Sequence, residues 1–226
     1  VTGKVFDSAG RFVPELASIH KGMGRLSFVP QSGKRYFAET LDSAGLAKRF
    51  ELPPVSPSGC TLAVTERNGL LLCQATATPD IDPAKLGLVV HVKGQVIAVD
   101  PLASFPSVWS VGKQSLPPGI AHFSIVDQGT GHPVAERLYF IHETSSPQAA
   151  LATNSNQYGA REKVTLTIHL KDTTGQSSGS FAVAVTDRHA VQQNPDDGDI
   201  RSNLLLTSDL KGYIEEPGYY FYDRTL

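Results

Sequence analysis

The stretch KVTLTIHLKD, residues 163–172, sets Val164, Leu166, Ile168 and Leu170 in strict alternation with Thr165, Thr167, His169 and Lys171. A two-residue period matches an extended strand, whose successive side chains point to opposite faces, so this segment reads as a half-buried β-strand. The same pattern recurs in short pieces along the chain. TGKVFDSAGRFV alternates about a turn at Ser8, Ala9 and Gly10, GRLSFVP sets Leu26 and Phe28 against Arg25 and Ser27, and KRYFAETL and AKRFELP follow with Gly33 and Gly45 between. Runs this short, punctuated by turn residues, favour antiparallel meanders, because a parallel crossover needs a dozen or more residues. With 20 Gly and 15 Pro among 226 residues, the expectation is an all-β chain of tandem antiparallel sandwiches in two or three small domains.

Three blocks follow from breaks in the pattern. The stretch ATPDIDPAK, residues 77–85, carries two prolines and three charged side chains and reads as a boundary, which ends a first β-sandwich domain at residues 1–79. A second block, residues 86–143, holds LGLVVHV, QVIAV and IAHFSIVD, the turn QGTGHP, and VAERLYFI; it either stands alone or shares a sandwich with the first. Ile120, Phe123 and Ile125 on one arm and Leu138 and Phe140 on the other offer apolar side chains to a core. Within VAERLYFI, Glu136 and Arg137 point to opposite faces, so one of them is expected in a partly buried ion pair at a domain seam. The polar stretch at 142–157 reads as a linker. The third block, residues 158–226, opens with the strand at 163–172, which SFAVAVTD (180–187, with Phe181, Val183 and Val185 alternating) is expected to pair. One short helix is expected after Asp199 as N-cap, with Ile200, Leu204 and Leu205 on its buried face and Gly212 as its stop.

Cys60 and Cys73 flank TLAVTERNGLLL. Pairing Val64 with Gly69 across a four-residue loop sets the two cysteines opposite each other, where a disulfide and a pair of buried thiols both fit. Their spacing excludes a CxxC or Cys/His metal cluster.

Composition removes several function classes. A net charge of −2 gives no electrostatic footprint for nucleic acid or an anionic membrane. The longest apolar runs are strand length, far below the roughly 20 residues of a membrane helix. No GxSxG elbow joins a strand to a helix, since GQSSG at 175–179 leads into the expected strand at 180–187. No P-loop or HxxxH pair is present, and the adjacent Glu215 and Glu216 point apart on an extended segment, so no catalytic residues and no cofactor are expected. The acidic loop DDGD makes Asp196, Asp197 and Asp199 a calcium candidate through closely spaced hard oxygens. The terminal glutamate of an EF-hand loop is missing, and a solvated turn ending in a helix cap fits the same residues. Tyr219, Tyr220 and Tyr222 crowd the last residues with Phe221, either to finish a local core or as a docking patch.

Four stretches carry a resemblance: HKGMGRLSFVPQSGKRYFAE (20–39), LPPGIAHFSIVDQGTGHPVAERLYF (116–140), REKVTLTIHLKDTTGQSSGSFAVAVTD (161–187) and NLLLTSDLKGYIEEPGYYF (203–221). Together they resemble the macroglobulin-type domain arrays of large exported Bacteroidetes proteins. The resemblance implies seven-stranded sandwiches, a periplasmic or outer-membrane-associated location, and in many members a following TonB-dependent receptor plug and barrel. It also implies that Val1 and Leu226 are cut points in a longer protein, and that the partners are other domains of that protein or an envelope protein or glycan ligand. Protease-trapping relatives use a thioester in a Cys-Gly-Glu-Gln motif; here the cysteines read SGCTL and LLCQA, so covalent trapping is not expected. The favoured reading is a non-catalytic spacer or binding module. The alternative is a protease-inhibitor segment without a thioester, with its bait in 142–157, and an enzyme stands third.

Overall fold

The computed structural model describes residues 2–42, 44–142, 148–171, 180, 183–187, 189–192 and 194–222. The chain is all-β, as its alternation predicts. Its first unit is a four-stranded antiparallel sheet of β1 (Thr2–Asp7), β2 (Phe12–Ala17), β3 (Tyr36–Leu41) and β4 (Ala47–Glu51), in the order β2-β1-β3-β4. One face buries Val5, Tyr36 and Ala38, on which Phe28, Leu52 and Val55 pack from the connecting loops. Asp7 closes this unit. Its carboxylate accepts hydrogen bonds from the Ala9 and Arg11 amides (3.0 and 2.9 Å), and Lys34 Nζ meets it at 2.9 Å across 27 residues of chain. The Lys34 hydrogen bond, then the backbone donors, hold the Asp7 carboxyl far below the usual carboxylate range.

The second unit is a seven-stranded sandwich. β5 (Cys60–Arg67), β6 (Leu70–Ala77) and β9 (Ser107–Gly112) form one sheet in the order β5-β6-β9. β7 (Leu86–Val92), β8 (Gln95–Pro101), β10 (Gly119–Asp127) and β11 (Pro133–Ile141) form the other, ordered β11-β10-β7-β8. This is an immunoglobulin-like arrangement in which the fourth strand pairs with the third rather than joining the three-stranded sheet. Every second residue of β7 and β10 points between the sheets, so Leu86, Leu88, Val90 and Val92 meet Ala121, Phe123 and Ile125 over Leu62, Val64, Leu71, Cys73 and Ala75. The sheets are also pinned by charge at one edge. The Tyr139 hydroxyl of β11 donates to Glu66 of β5, and Lys113 Nζ reaches the same carboxylate at 2.9 Å. Burial, then this carboxylate, push the Tyr139 phenol up to about 12.

Several expectations are corrected. The boundary read at 77–85 falls inside the sandwich: the cysteine hairpin supplies two strands to the same core as β7 and β10, so residues 60–77 do not belong with the first sheet. GRLSFVP forms no strand; Phe28 instead packs from a loop onto Tyr36, ring centroids 5.1 Å apart. The hairpin turns through two residues, Asn68 and Gly69, both at positive φ, which sets Cys73 opposite Val64 and Cys60 opposite Ala77. The cysteines thus lie four residues apart along one face, about 13 Å, too far for a bridge, and both are free thiols. Glu136 faces His122 and Ser124 on the outer face of its sheet, while Arg137 is exposed and donates to the Glu136 carbonyl, so neither forms the expected seam ion pair.

The linker reading of 142–157 also fails in part, because β12 (Gln148–Thr153) lies within it and pairs antiparallel with β13 (Leu166–Lys171). Residues 183–187 form no strand, and Phe181 lies outside the described residues. Among the described residues between 149 and 201 no side chain is buried, and β12 with β13 forms a two-stranded ribbon.

Candidate functional site: a C-terminal aromatic clasp

The segment after residue 194 packs back on both units. Asp199 caps a helical turn as expected, its carboxylate accepting the Ser202 amide at 2.7 Å while the Ser202 hydroxyl takes the Asp199 amide at 2.7 Å. The helix itself differs from the expectation. α1 (Ile200–Ser202) passes into a wider π turn over Asn203–Thr207 and ends before Gly212. That widening rotates the buried face: Ser202 and Leu206 are buried, whereas Ile200 and Leu204 are exposed. The turn lies on β10, with the Leu205 carbonyl beside Gly119.

The acidic loop serves this fold through its backbone. The Gly218 amide donates to the Asp196 carbonyl at 2.9 Å, and a Cβ at position 218 would lie 2.4 Å from the Pro195 carbonyl oxygen and 2.8 Å from that of Asp197, so only glycine fits. Asp197 accepts from the Asn194 side-chain amide, and Asp199 is committed to its cap. Among the described residues no three His, Cys, Asp or Glu side chains are grouped to hold a metal ion, so Asp196, Asp197 and Asp199 do not converge as a calcium site.

Held in this way, the tyrosine cluster meets the first unit. The Tyr219 ring stacks on His20 with centroids 3.6 Å apart and planes at 7°, and Tyr220 meets the same imidazole edge-on at 5.9 Å. Beside the stack, Lys21 Nζ lies 2.9 Å from Glu216 and 3.8 Å from Glu215. The Glu216 hydrogen bond, then its charge, raise the Lys21 amine above its ordinary range. Lys21 (φ 44°) and Glu216 (φ 47°) both hold left-handed backbone, a conformation costing a non-glycine residue about 1–2 kcal/mol. For Lys21 the reason is local: it and Gly22 form the tight turn between His20 and Met23. For Glu216 the same conformation aims the carboxylate at Lys21.

The other side of the cluster grips the sandwich. Phe221 packs edge-on against Phe140 at 5.1 Å, the Arg201 guanidinium lies 5.2 Å above the Phe221 ring, and His142 Nε2 lies 2.5 Å from the Tyr220 carbonyl oxygen. Tyr222 is half exposed at the margin. Of the three tyrosines predicted as a patch, Tyr219 and Tyr220 are therefore brought onto His20. The partners that sequence reasoning missed are His20, Lys21, Phe140, His142 and Arg201. Only EEPGYYF signals the clasp in the sequence, through charge and aromatic surface placed next to a Pro-Gly turn.

Among the described residues, a cluster of catalytic residue types lies elsewhere, on the outer face of the four-stranded sandwich sheet. His122 Nδ1 lies 3.1 Å from Glu136 Oε1, and the Ser124 hydroxyl donates to the same oxygen at 3.2 Å. The carboxylate sits between serine and histidine, whereas nucleophile activation requires the imidazole between serine and acid. His91 stacks on His122 at 4.4 Å, and burial, then the His122 charge, lower its imidazole below the ordinary range.

No family model matches the chain. No curated protein matches it either.

Proposed function

We propose that this chain is a non-catalytic structural segment of a larger exported protein, which sets the spacing of neighbouring parts and docks them. The observation that carries the reading is the clasp: one C-terminal segment binds the turn at His20–Met23 of the first sheet and Phe140 of the sandwich, so two units separated in sequence are tied by a third element. Side chains of catalytic type are arranged against catalysis in the Ser124–Glu136–His122 cluster, which supports the non-enzymatic part. The macroglobulin-type resemblance of residues 20–39, 116–140, 161–187 and 203–221 supports a place in the periplasm or at the outer membrane, accessory to TonB-dependent transport. No helix among the described residues is long and apolar enough to cross a membrane.

Limited proteolysis within residues 142–157, followed by sedimentation velocity, tests the reading against a protease trap. A clasped spacer keeps its two fragments together at an unchanged sedimentation coefficient, because contacts at His20, Phe140 and β10 survive the cut. A bait segment instead releases stored strain and changes the shape of the nicked chain, which would replace the spacer reading with the inhibitor one.

A further inference from the structure

The face of the first sheet opposite Val5, Tyr36 and Ala38 carries a charge row set by strand register. Glu15 of β2 opposes Lys4 of β1, Lys4 opposes Glu39 of β3, and Glu39 opposes Arg49 of β4. Across the four strands the row therefore reads minus, plus, minus, plus. Within this row only Arg49 and Glu39 close to an ion pair among the described residues, at 3.8 Å, so Lys4 and Glu15 carry their charge toward solvent. On one side of this row Phe12, Phe6 and Phe37 stand abreast and end at Glu51 of β4, with Phe12 about half exposed. On the other, Ala17 opposes Thr2 and Ala47 opposes Leu41, and Leu41 is again half exposed. The face is thus a charged stripe between two largely apolar ones, with Ile19 and Arg25 of the loop after β2 lining its margin and no strand or helix among the described residues packed across it as a second layer.

We propose that this face binds a second copy of the chain, face to face, about a two-fold axis running along the strands. Such a rotation leaves each row at its own level and reverses its order. The sequence minus, plus, minus, plus reversed is plus, minus, plus, minus, so Glu15 meets Arg49 of the second copy and Lys4 meets its Glu39, each contact occurring twice. Under the same rotation Phe6 meets Phe37 and Ala17 meets Ala47, while Phe12 meets the methylenes of Glu51. An odd number of alternating charges would put like charges opposite each other, so the four-strand width makes this row self-complementary. Isologous contact of this kind is the commonest symmetry of soluble oligomers. Four strands of five or six residues offer roughly 300–400 Å² per partner, from strand spacings of ~4.8 Å and a rise of ~3.3 Å per residue. That is below the ~800 Å² per partner of a standard stable interface, so the pairing is weak and transient.

Sedimentation equilibrium of the full chain across 10 μM to 1 mM tests this with two charge reversals, Lys4→Glu and Glu39→Lys. Each alone places like charges opposite at two points and is expected to remain monomeric across the range. Mixed in equal amounts, the variants restore opposite charges at both points: the new carboxylate at position 4 of one faces the new ammonium at position 39 of the other, and the native Glu39 of the first faces the native Lys4 of the second. Heterodimer then returns within about threefold of wild-type affinity. Recovery on mixing also demonstrates that both variants are folded. A wild-type chain that stays monomeric at 1 mM, a Lys4→Glu variant that associates like wild type, or a mixture of two variants with native circular dichroism that does not associate, each overturns the proposal.

Discussion

Tyr219 lies flat on His20, 3.6 Å between ring centroids, across nearly two hundred residues of chain. Aromatic pairs contribute about 0.5–1.5 kcal/mol beyond the area they bury. A double-mutant cycle with His20→Ala and Tyr219→Ala is expected to give a coupling energy in that range, read from urea unfolding. A coupling of zero contradicts the stack.

Gly218 is the tightest point of the clasp. A methyl group there meets two carbonyl oxygens inside 3.0 Å, so Gly218→Ala is expected to lower stability by about 1–3 kcal/mol, the usual cost of overpacking. Gly59 serves as the control: a methyl group added there meets nothing within 4 Å and its φ is not left-handed, so Gly59→Ala is expected to leave the thermal midpoint within about two degrees of wild type.

Asp7 gives the first sheet an acid sensitivity of defined sign. Its folded carboxyl lies well below the unfolded value of about 3.9, so its contribution is fully present above that value and is lost as pH falls through the carboxylate range toward the folded value. Asp7→Asn is expected to be less stable than wild type at pH 7, and the gap between them should narrow steadily below pH 4. Urea midpoints measured from pH 2.5 to 7 check this; a gap independent of pH rules out Asp7 as the origin.

The two thiols should differ in reactivity. Burial alone raises Cys60, and raises Cys73 to about 11, so neither is an appreciable thiolate at pH 8. Aromatic disulfide titration of the native chain is expected to label half-buried Cys60 slowly and buried Cys73 only on unfolding, with two thiols counted in denaturant without reductant. A count of zero in denaturant restores the disulfide.

Much of the fold is legible in the sequence because alternation is a local property. β1, β3, β7 and β13 show it, and the turn at Ser8, Ala9 and Gly10 and the cap at Asp199 follow from residue chemistry alone. The core set read in β10 and β11 mixes two faces, since Ile120, Leu138 and Phe140 point away from Phe123 and Ile125. The departures have physical reasons. A four-residue loop between Cys60 and Cys73 overlooks Asn68-Gly69, the dipeptide best suited to a two-residue hairpin turn, and a register shift moves every cross-strand partner. The strand SVWSVG, β9, escapes a periodicity reading although Val108, Trp109 and Val111 are strand formers, because Pro106 and Gly112 confine it to six residues. GRLSFVP alternates yet forms no strand, since periodicity supplies amphipathic side chains without supplying a pairing partner. The clasp is beyond sequence reading for a different reason: nothing local links His20 to Tyr219, and only the folded chain brings Lys21 to Glu216.

The central claim, that the C-terminal segment is fastened to the first sheet, meets its most direct test in zero-length carbodiimide cross-linking followed by peptide mass spectrometry. Lys21 and Glu216 lie 2.9 Å apart, as do Lys113 and Glu66, which pin the sandwich independently of the clasp. An isopeptide bond between Lys21 and Glu216 is expected in yield comparable to that between Lys113 and Glu66. Recovery of the Lys113–Glu66 link without any link from Lys21 to Glu215 or Glu216 would contradict it.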